Sequence, residues 1–173
     1  AGRFHVKVYE RNMLDHIAEN WGMDAEALRR YDETPKKWGL SRTVKGFSNA
    51  PEDSVAEMQF QYLREKAEAG ESFIVVGRCA EEVLQDFSVM ISAFVRADLD
   101  FKLKRTMARA DITEEEAMAL INRKDKLRKS YHDQYCKGKW GHAAYYDIVI
   151  NSAKLGIVKT ADLLEQYIRA RMG

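Results

Sequence analysis

The sequence predicts an α/β protein in which helices cover a parallel β-sheet. Segments that alternate like strands or form short apolar runs are interspersed with segments of helical periodicity. The later strand segments, 72–77, 87–95 and 146–152, are apolar along most of their length. Strands that are apolar on both faces are typical of a parallel sheet with helices on both sides.

The first third of the chain contains one predicted strand and two predicted helices. FHVKVYE at 4–10 alternates like a strand, and apolar residues recur at helical spacing in 11–21. Gly22 is a suitable stop for this helix, and Asp24 a suitable N-cap for a short helix at 23–33.

Residues 34–51 are predicted to form a mobile loop or an insertion. The segment holds both prolines of the chain and two glycines, and it has little periodicity. Pro51 is well placed to begin the next helix, which we expect to end at Gly70.

The second half of the chain is predicted to be mainly helical around the last two strands. Helices are expected at 80–86, 98–110, 112–135 and 156–172. The third of these has a clear start, because Thr113 and Glu116 form a T-x-x-E capping box.

Composition predicts one globular domain over residues 1–173. Hydrophobic residues make up 46% and charged residues 32%, and the net charge of +1 gives no global attraction to nucleic acid or to an anionic membrane. No apolar run approaches the ~20 residues that span a bilayer, so no membrane association is expected. Two cysteines without CxxC spacing favour a reduced, cytoplasmic protein.

Arg78 stands where an apolar strand stops and a helix starts. In parallel α/β sheets this end of the strands is the binding region, so the guanidinium could hold a phosphate while Gly77 lets the backbone approach it. The alternative is an arginine that pairs with a loop carboxylate. Cys79 follows at the possible helix start, where its pKa could be lowered, but a small buried residue is the simpler interpretation.

Positive charge is concentrated in 121–139, which holds seven Lys or Arg against two Asp. Asp125 and Arg128 share a helix face there, and upstream Arg105 and Arg109 are also spaced for one face. Such a set could neutralise and position phosphoryl groups. The alternatives are a solvated basic helix surface and a nucleic-acid-binding face.

Taken together, these motifs resemble the cytidylate kinase-like family of P-loop nucleoside monophosphate kinases. The resemblance runs from about Val8 to the C-terminus and depends on VGRCA, D-x-x-R-x-x-Y, KxW-G and YD-x-x-INS. It implies a three-layer α/β/α parallel sheet of the P-loop kinase type. It also implies a mobile lid at about 105–140 and a monophosphate-binding segment at 34–51.

The resemblance implies a phosphotransferase that moves the γ-phosphoryl group of ATP, with Mg²⁺, to a small acceptor, foremost CMP or dCMP. It implies catalytic roles for Arg105, Arg109 and Arg128. The competing hypotheses are an inactive nucleotide-binding or regulatory module of the same fold and, less favoured, a nucleic-acid-binding protein. The oligomeric state is not predicted.

The acceptor-binding residues implied by the resemblance are Gly77, Arg78, Asp125, Arg128 and Tyr131.

Two features depart from the family pattern. No G-x-x-x-x-G-K-[ST] occurs in these 173 residues, and the resemblance places that phosphate loop before Phe4. The residues that bind ATP are therefore not assigned: either the loop precedes this sequence, or the protein does not bind ATP in the usual way. Cytidylate kinases also flank the Gly-Arg pair with aspartates, where this chain has Val76 and Cys79.

Overall fold

The structure, a computed structural model, describes residues 2–32 and 51–173 and the backbone of 43–44 and 47–48. The fold comprises two compact units. Unit 1 contains residues 1–88 and 130–137, and unit 2 contains 89–129 and 138–173. The single domain over 1–173 stays a prediction.

Unit 1 holds the first strands and four helices, and it also includes the last turns of a helix that begins in unit 2. Its elements are β1 (Lys7–Tyr9), α1 (Met13–Trp21), α2 (Ala25–Arg29), β2 (Thr43–Val44), β3 (Phe47–Ser48), α3 (Pro51–Glu68), β4 (Phe73–Val75) and α4 (Ala80–Val83). β1 and β4 pair in parallel, with Val8 opposite Ile74.

Local signals place three helix boundaries of unit 1 as predicted, whereas α2 ends at Arg29 and α4 at Val83, before the predicted 33 and 86. Gly22 ends α1 in the left-handed conformation with φ 64°, and the Asp24 side chain accepts a hydrogen bond from the Glu26 N–H at the start of α2. Pro51 is the first residue of α3. The core of the unit consists of fully buried side chains from β1, α1 and α3, namely Tyr9, Met13, Leu14, Ile17 and Leu63.

Most of the predicted loop at 34–51 lies outside the described residues. Within it, β2 and β3 form an antiparallel pair, with Val44 opposite Phe47. This short pairing was not predicted, because two-residue strands leave no readable alternation in the sequence.

Unit 2 contains a second parallel strand pair and the longest helices. Its elements are β5 (Ala93–Arg96), α5 (Leu99–Ala110), α6 (Glu114–Tyr135, whose last six residues belong to unit 1), a short 3₁₀ helix (Ala143–Tyr145), β6 (Ile148–Asn151) and α7 (Ser152–Met172). β5 and β6 pair in parallel, with Phe94 opposite Val149. The helical geometry of α7 is interrupted at Gly156, where φ is 73° and ψ is 170°.

The capping box at the start of α6 is confirmed. The Glu116 carboxylate accepts from the Thr113 backbone N–H over 2.9 Å, and the Thr113 hydroxyl oxygen accepts from the Glu116 N–H over 3.3 Å. The Thr113 N–H and hydroxyl hold the pKa of Glu116 below its ordinary value. α5 and α6 then share a buried apolar contact built on Leu103, Ala117 and Ile121.

Asp147 connects three parts of unit 2. Its Oδ2 accepts from the Ser92 N–H over 2.7 Å and from the Ser92 hydroxyl over 2.9 Å, and its Oδ1 accepts from Arg171 of α7 over 3.1 Å. The next residue, Ile148, donates its N–H to the Ser92 carbonyl over 3.2 Å. These contacts set the point at which the β5–β6 ladder begins.

The mixed α/β class is confirmed, whereas a three-layer arrangement around one sheet is not. The described strands pair two by two, β1 with β4, β2 with β3 and β5 with β6. The buried strand predicted at 87–95 is wrong in both extent and burial: β5 begins only at Ala93, and three of its four residues are exposed. Apolar character predicted a strand there, but pairing starts only beyond the Ser92–Asp147 contact. No helix in the described part of the chain is both long and apolar enough to cross a membrane.

Candidate functional site

The residues predicted to form the site are divided between the two units. The unit 1 members are Gly77, Arg78 and Tyr131, and the unit 2 members are Arg105, Arg109, Asp125 and Arg128.

The segment after β4 is a turn with three consecutive left-handed residues. The φ angles are 74° at Gly77, 61° at Arg78 and 53° at Cys79. Gly77 is exposed, and a Cβ at this position would meet no atom within 4 Å, so the backbone here is open to approach. Left-handed conformation is uncommon for residues other than glycine, and such strain is concentrated at functional sites.

Arg78 forms a buried ion pair with Asp32. Its Nη2 lies 2.8 Å from Asp32 Oδ2, and the two side chains are only 3% and 10% exposed. This is the carboxylate pairing that the sequence left open as the alternative for Arg78. The role of Arg78 in phosphate binding stays a prediction.

A chain of hydrogen bonds extends this ion pair to Tyr131. Gln59 of α3 donates its amide N–H to Asp32 Oδ1 over 3.1 Å, and the Tyr131 hydroxyl donates to Gln59 Oε1 over 3.4 Å. Burial, more than any neighbouring charge, raises the pKa of Tyr131, so its hydroxyl remains a donor at neutral pH. Arg78 and Tyr131, both predicted from the sequence, thus belong to one buried network, while Asp32 and Gln59 were missed.

In unit 2, Asp125 lies between two cations. Its Oδ2 is 2.6 Å from Lys102 Nζ of α5, and its Oδ1 is 3.3 Å from Arg128 Nη1 on its own helix. The Arg128 side chain is 55% exposed, so its guanidinium remains accessible to solvent. The structure therefore brings together the predicted pair Asp125 and Arg128, and it adds Lys102, which sequence reasoning did not include.

Lys102 belongs to a basic face of α5. With Arg105 and Arg109 it follows the spacing i, i+3, i+7, which places the three residues on one side of the helix. Both arginines are exposed. This spacing was the signal in the sequence that could have identified Lys102.

Unit 1 also contains a group of metal-ligating side chains, Glu81, His132 and Cys136. Cys79 lies beside them and is buried, which confirms the simpler interpretation of this residue, whereas the alternative of a lowered pKa is wrong. A hydrogen bond with Cys136, followed by burial, raises the pKa of the Cys79 thiol. The i, i+4 spacing of His132 and Cys136 is a signal in the sequence for this group, although it matches neither HExxH nor CxxC.

Comparisons with known proteins show which family and which solved structure this chain is similar to. The model of the cytidylate kinase-like family matches residues 1–154. A solved structure similar to this chain is the crystal structure of an uncharacterized protein from Eubacterium ventriosum ATCC 27560. The two share 34% sequence identity with a TM-score of 0.76, and the match covers 98% of this chain and 86% of that one. The comparison with curated proteins found no match.

Proposed function

The chain belongs to the cytidylate kinase-like family, and from this premise we propose that it transfers the γ-phosphoryl group of ATP to a small acceptor, with CMP or dCMP as the first candidates. The observation that carries the proposal is the family match over 1–154. Two features of the chain support it: the strained Gly77–Arg78 turn at the carboxyl end of β4, and the basic cluster around Asp125.

The side chains of unit 2 suit the charge of such a reaction. Phosphoryl transfer is catalysed mainly by positioning and by electrostatic stabilisation of the transferred group. In the proposal, exposed Arg105 and Arg109 neutralise charge on the transferred group, and Arg128 binds the acceptor phosphate or the transferred group. Asp125 orients Arg128 and offers carboxylate oxygens to a base or a sugar. An acceptor phosphate that is already ionised needs no general base.

Arg78 is proposed to bind the acceptor phosphate from within its ion pair. An arginine carries five N–H donors, and Asp32 orients the guanidinium through Nη2. We therefore expect a phosphate to approach from the side of the open Gly77 backbone. The carboxylate reduces the net positive charge at this point, so the binding contribution of Arg78 depends on direct hydrogen bonds more than on long-range attraction.

ATP and Mg²⁺ are proposed as cosubstrate and cofactor. When bound, Mg²⁺ neutralises phosphate charge, and it is commonly held by substrate phosphates and water with only one or two carboxylates. The three-donor cluster found among the described residues contains a thiol and an imidazole, which does not suit Mg²⁺. No residue of this chain is therefore assigned to Mg²⁺. The exposed arginines of α5 do fit the charge of a triphosphate.

The test is ATP consumption by the full-length protein across a panel of nucleoside monophosphates. We expect turnover with at least one acceptor. Arg128→Ala and Arg105→Ala should each lower kcat/KM by about 100-fold, the scale for removal of one stabilising donor. The matched controls are Lys126→Ala and Lys104→Ala, which remove an exposed cation from α6 and from α5 and should stay within about twofold of wild type.

The outcomes separate the candidate functions. Absence of turnover with every acceptor would overturn the kinase proposal, and nucleotide binding without turnover would establish the inactive module in its place. Equal losses in the site variants and their controls would overturn the site assignment. Binding of generic DNA or RNA that weakens steeply with salt would support the nucleic-acid hypothesis.

A further inference from the structure

Three metal-ligating side chains converge in unit 1. Glu81, His132 and Cys136 each place one ligand atom within 4.8 Å of the other two, and no other such group occurs in the part of the chain that the structure describes. Cys136 donates its backbone N–H to the His132 carbonyl over 2.8 Å, which continues the helical turn. Cys136, the first residue after α6, therefore projects from the same side as His132.

The geometry of His132 suits a bound ion. The side chain is 6% exposed, and its Nε2 lies 3.0 Å from Glu81 Oε1. Nitrogen and oxygen ligands of a tetrahedral zinc ion, each about 2.0–2.1 Å from the metal, are about 3.3 Å apart. Nε2 and Oε1 therefore need to move apart by only a few tenths of an ångström to bind the same zinc ion.

The other ring nitrogen of His132 also fits this interpretation. Nδ1 is buried without a hydrogen-bond partner among the described residues, and it lies 3.8 Å from Asp133 Oδ1. Buried polar atoms without partners are rare and call for a physical explanation. A metal-bound histidine commonly donates its second ring N–H to a carboxylate, and Asp133 is a neighbouring carboxylate that would have to move closer to accept it.

A second thiol, that of Cys79, lies near Cys136 but outside the group of three whose ligand atoms converge. Both cysteines are free thiols, and Cys79 is buried. We propose that Glu81, His132 and Cys136 bind a zinc ion, and that the Cys79 thiol approaches as the fourth ligand. Thiolate and imidazole ligands favour Zn²⁺ over Mg²⁺ or Ca²⁺, which bind oxygen ligands.

Binding requires a change in protonation but no redox change. Each thiol that ligates the ion releases its proton to the solvent. His132 ligates through Nε2 with its ring proton on Nδ1, so the proton between Nε2 and Glu81 is displaced and Glu81 ligates as a carboxylate. Zn²⁺ with two thiolates and one carboxylate then carries a net charge of −1.

The ion would fasten the Arg78 turn to the end of α6. Cys79 and Glu81 lie on the segment that follows Arg78, whereas His132 lies in the last turn of α6 and Cys136 directly after it. Cross-linking the two segments would hold the left-handed backbone of 77–79 in place. This role is structural and does not depend on phosphoryl transfer.

The experiment is metal titration of the full-length, reduced protein after treatment with a chelator. We expect one Zn²⁺ per chain by elemental analysis, and a Co²⁺ spectrum with thiolate charge-transfer and tetrahedral bands. Zn²⁺ should raise Tm, since it binds the folded state, and should slow alkylation of the partly exposed Cys136. Cys136→Ser and His132→Gln should each weaken Zn²⁺ binding at least about 100-fold, somewhat more than the loss for outer-shell partners.

The matched control is His142→Gln, which alters an exposed histidine of unit 2 and should leave the affinity for Zn²⁺ unchanged. The proposal is overturned if no ion binds stoichiometrically or if Cys136→Ser binds as wild type does. A Cys79–Cys136 disulfide in a protein that takes up no Zn²⁺ after reduction would also overturn it. If the variants do not fold, the Co²⁺ spectrum and the alkylation rate of the wild type still decide the question.

Discussion

Arg78 and Asp32 are 46 residues apart in sequence, and they meet over 2.8 Å in a buried ion pair. The carboxylate also accepts a hydrogen bond from Gln59, whose side chain is only 1% exposed. An arginine that the sequence marks as a candidate phosphate ligand is therefore also part of the internal structure of unit 1. Its effects on folding and on binding have to be measured separately.

Asp32→Asn should destabilise the protein strongly. Removing one partner of a buried ion pair leaves an uncompensated buried charge, which costs about 3 kcal/mol of the free energy of unfolding. Urea unfolding measures this loss. The matched control is Asp15→Asn, which breaks the exposed pair of Asp15 and Arg29 in the same unit and should cost less than about 1 kcal/mol. Equal losses in the two variants would show that burial of the Arg78 pair has no energetic effect.

Gly141→Ala should destabilise the protein more than Gly22→Ala. Both glycines have a positive φ, 73° and 64°, so an alanine is strained by about 1–2 kcal/mol at either position. Only at Gly141 would the new Cβ lie 2.8 Å from a Phe94 ring atom, whereas at Gly22 it meets nothing within 4 Å.

The Phe94 ring is confined, because it packs against Trp140 and Tyr146 at centroid distances of 5.5 and 5.1 Å. Overpacking should therefore add about 1–3 kcal/mol to the loss for Gly141→Ala. The difference between the two variants in Tm and in urea midpoint isolates this clash. If the two variants unfold at the same midpoint, the close approach of Gly141 to Phe94 is not tight in solution.

Asp147→Asn should lower stability in a pH-dependent way. Hydrogen bonds from the Ser92 N–H and hydroxyl, followed by Arg171, hold the pKa of Asp147 below its ordinary value of 3.8. A carboxylate with a lowered pKa stabilises the fold above its unfolded pKa, and this contribution is lost as the pH falls through the folded pKa. We expect a loss of about 1 kcal/mol at pH 7.

The difference between wild type and Asp147→Asn should shrink below about pH 5 and vanish once the wild-type carboxylate is protonated. Urea unfolding at pH 7 and at low pH measures this trend. Asp86→Asn, at an exposed position in unit 1, serves as the control and should change stability by less than about 0.5 kcal/mol at either pH. A loss that stays constant across the pH range would contradict the role of the Asp147 charge.

Lys102 and Asp125 should be energetically coupled. Their contact is partly exposed, so a double-mutant cycle with Lys102→Ala and Asp125→Ala should give a coupling of about 0.5 kcal/mol at low salt. The coupling should weaken at high salt. The control cycle combines Asp125→Ala with Lys104→Ala. Lys104 lies two residues further along α5, about 200° around the helix, so the effects of these two substitutions should be additive. Coupling of equal size in both cycles would mean that the overall charge of the helix causes the effect, and not the contact between Lys102 and Asp125.

Some helix boundaries could be read from the sequence because their signals are local, although α7 begins at Ser152 and not at the predicted 156. The stop at Gly22, the cap at Asp24 and the box of Thr113 and Glu116 each involve residues within three positions of the boundary. The extent of the strands was harder to predict from the sequence. The apolar run at 87–95 predicted a strand, but the contact of Ser92 with Asp147 decides where pairing starts, and these residues are 55 positions apart.

The candidate site was predictable in its charged members but not in their partners. Charge clustering and helical spacing identified Asp125 and Arg128, and the structure brings these two into contact. No local pattern connects Arg78 with Asp32, since only the tertiary fold brings the turn after α2 and the segment after β4 together. The same holds for Glu81, which meets His132 across 51 residues.

The strain in the left-handed turn at 77–79 gives a minimum for the favourable free energy that the side chains of Arg78 and Cys79 contribute. Each non-glycine residue in this conformation costs about 1–2 kcal/mol, a cost that glycine largely avoids. Glycines at 78 and 79 would allow the same path of the backbone at lower energy, without a guanidinium or a thiol. The chain instead places glycine only at the first position, and its two strained residues are those that contact Asp32 and Cys136. The backbone at 78 and 79 is therefore strained, and in return the chain has a guanidinium and a thiol at these positions, which glycine does not provide.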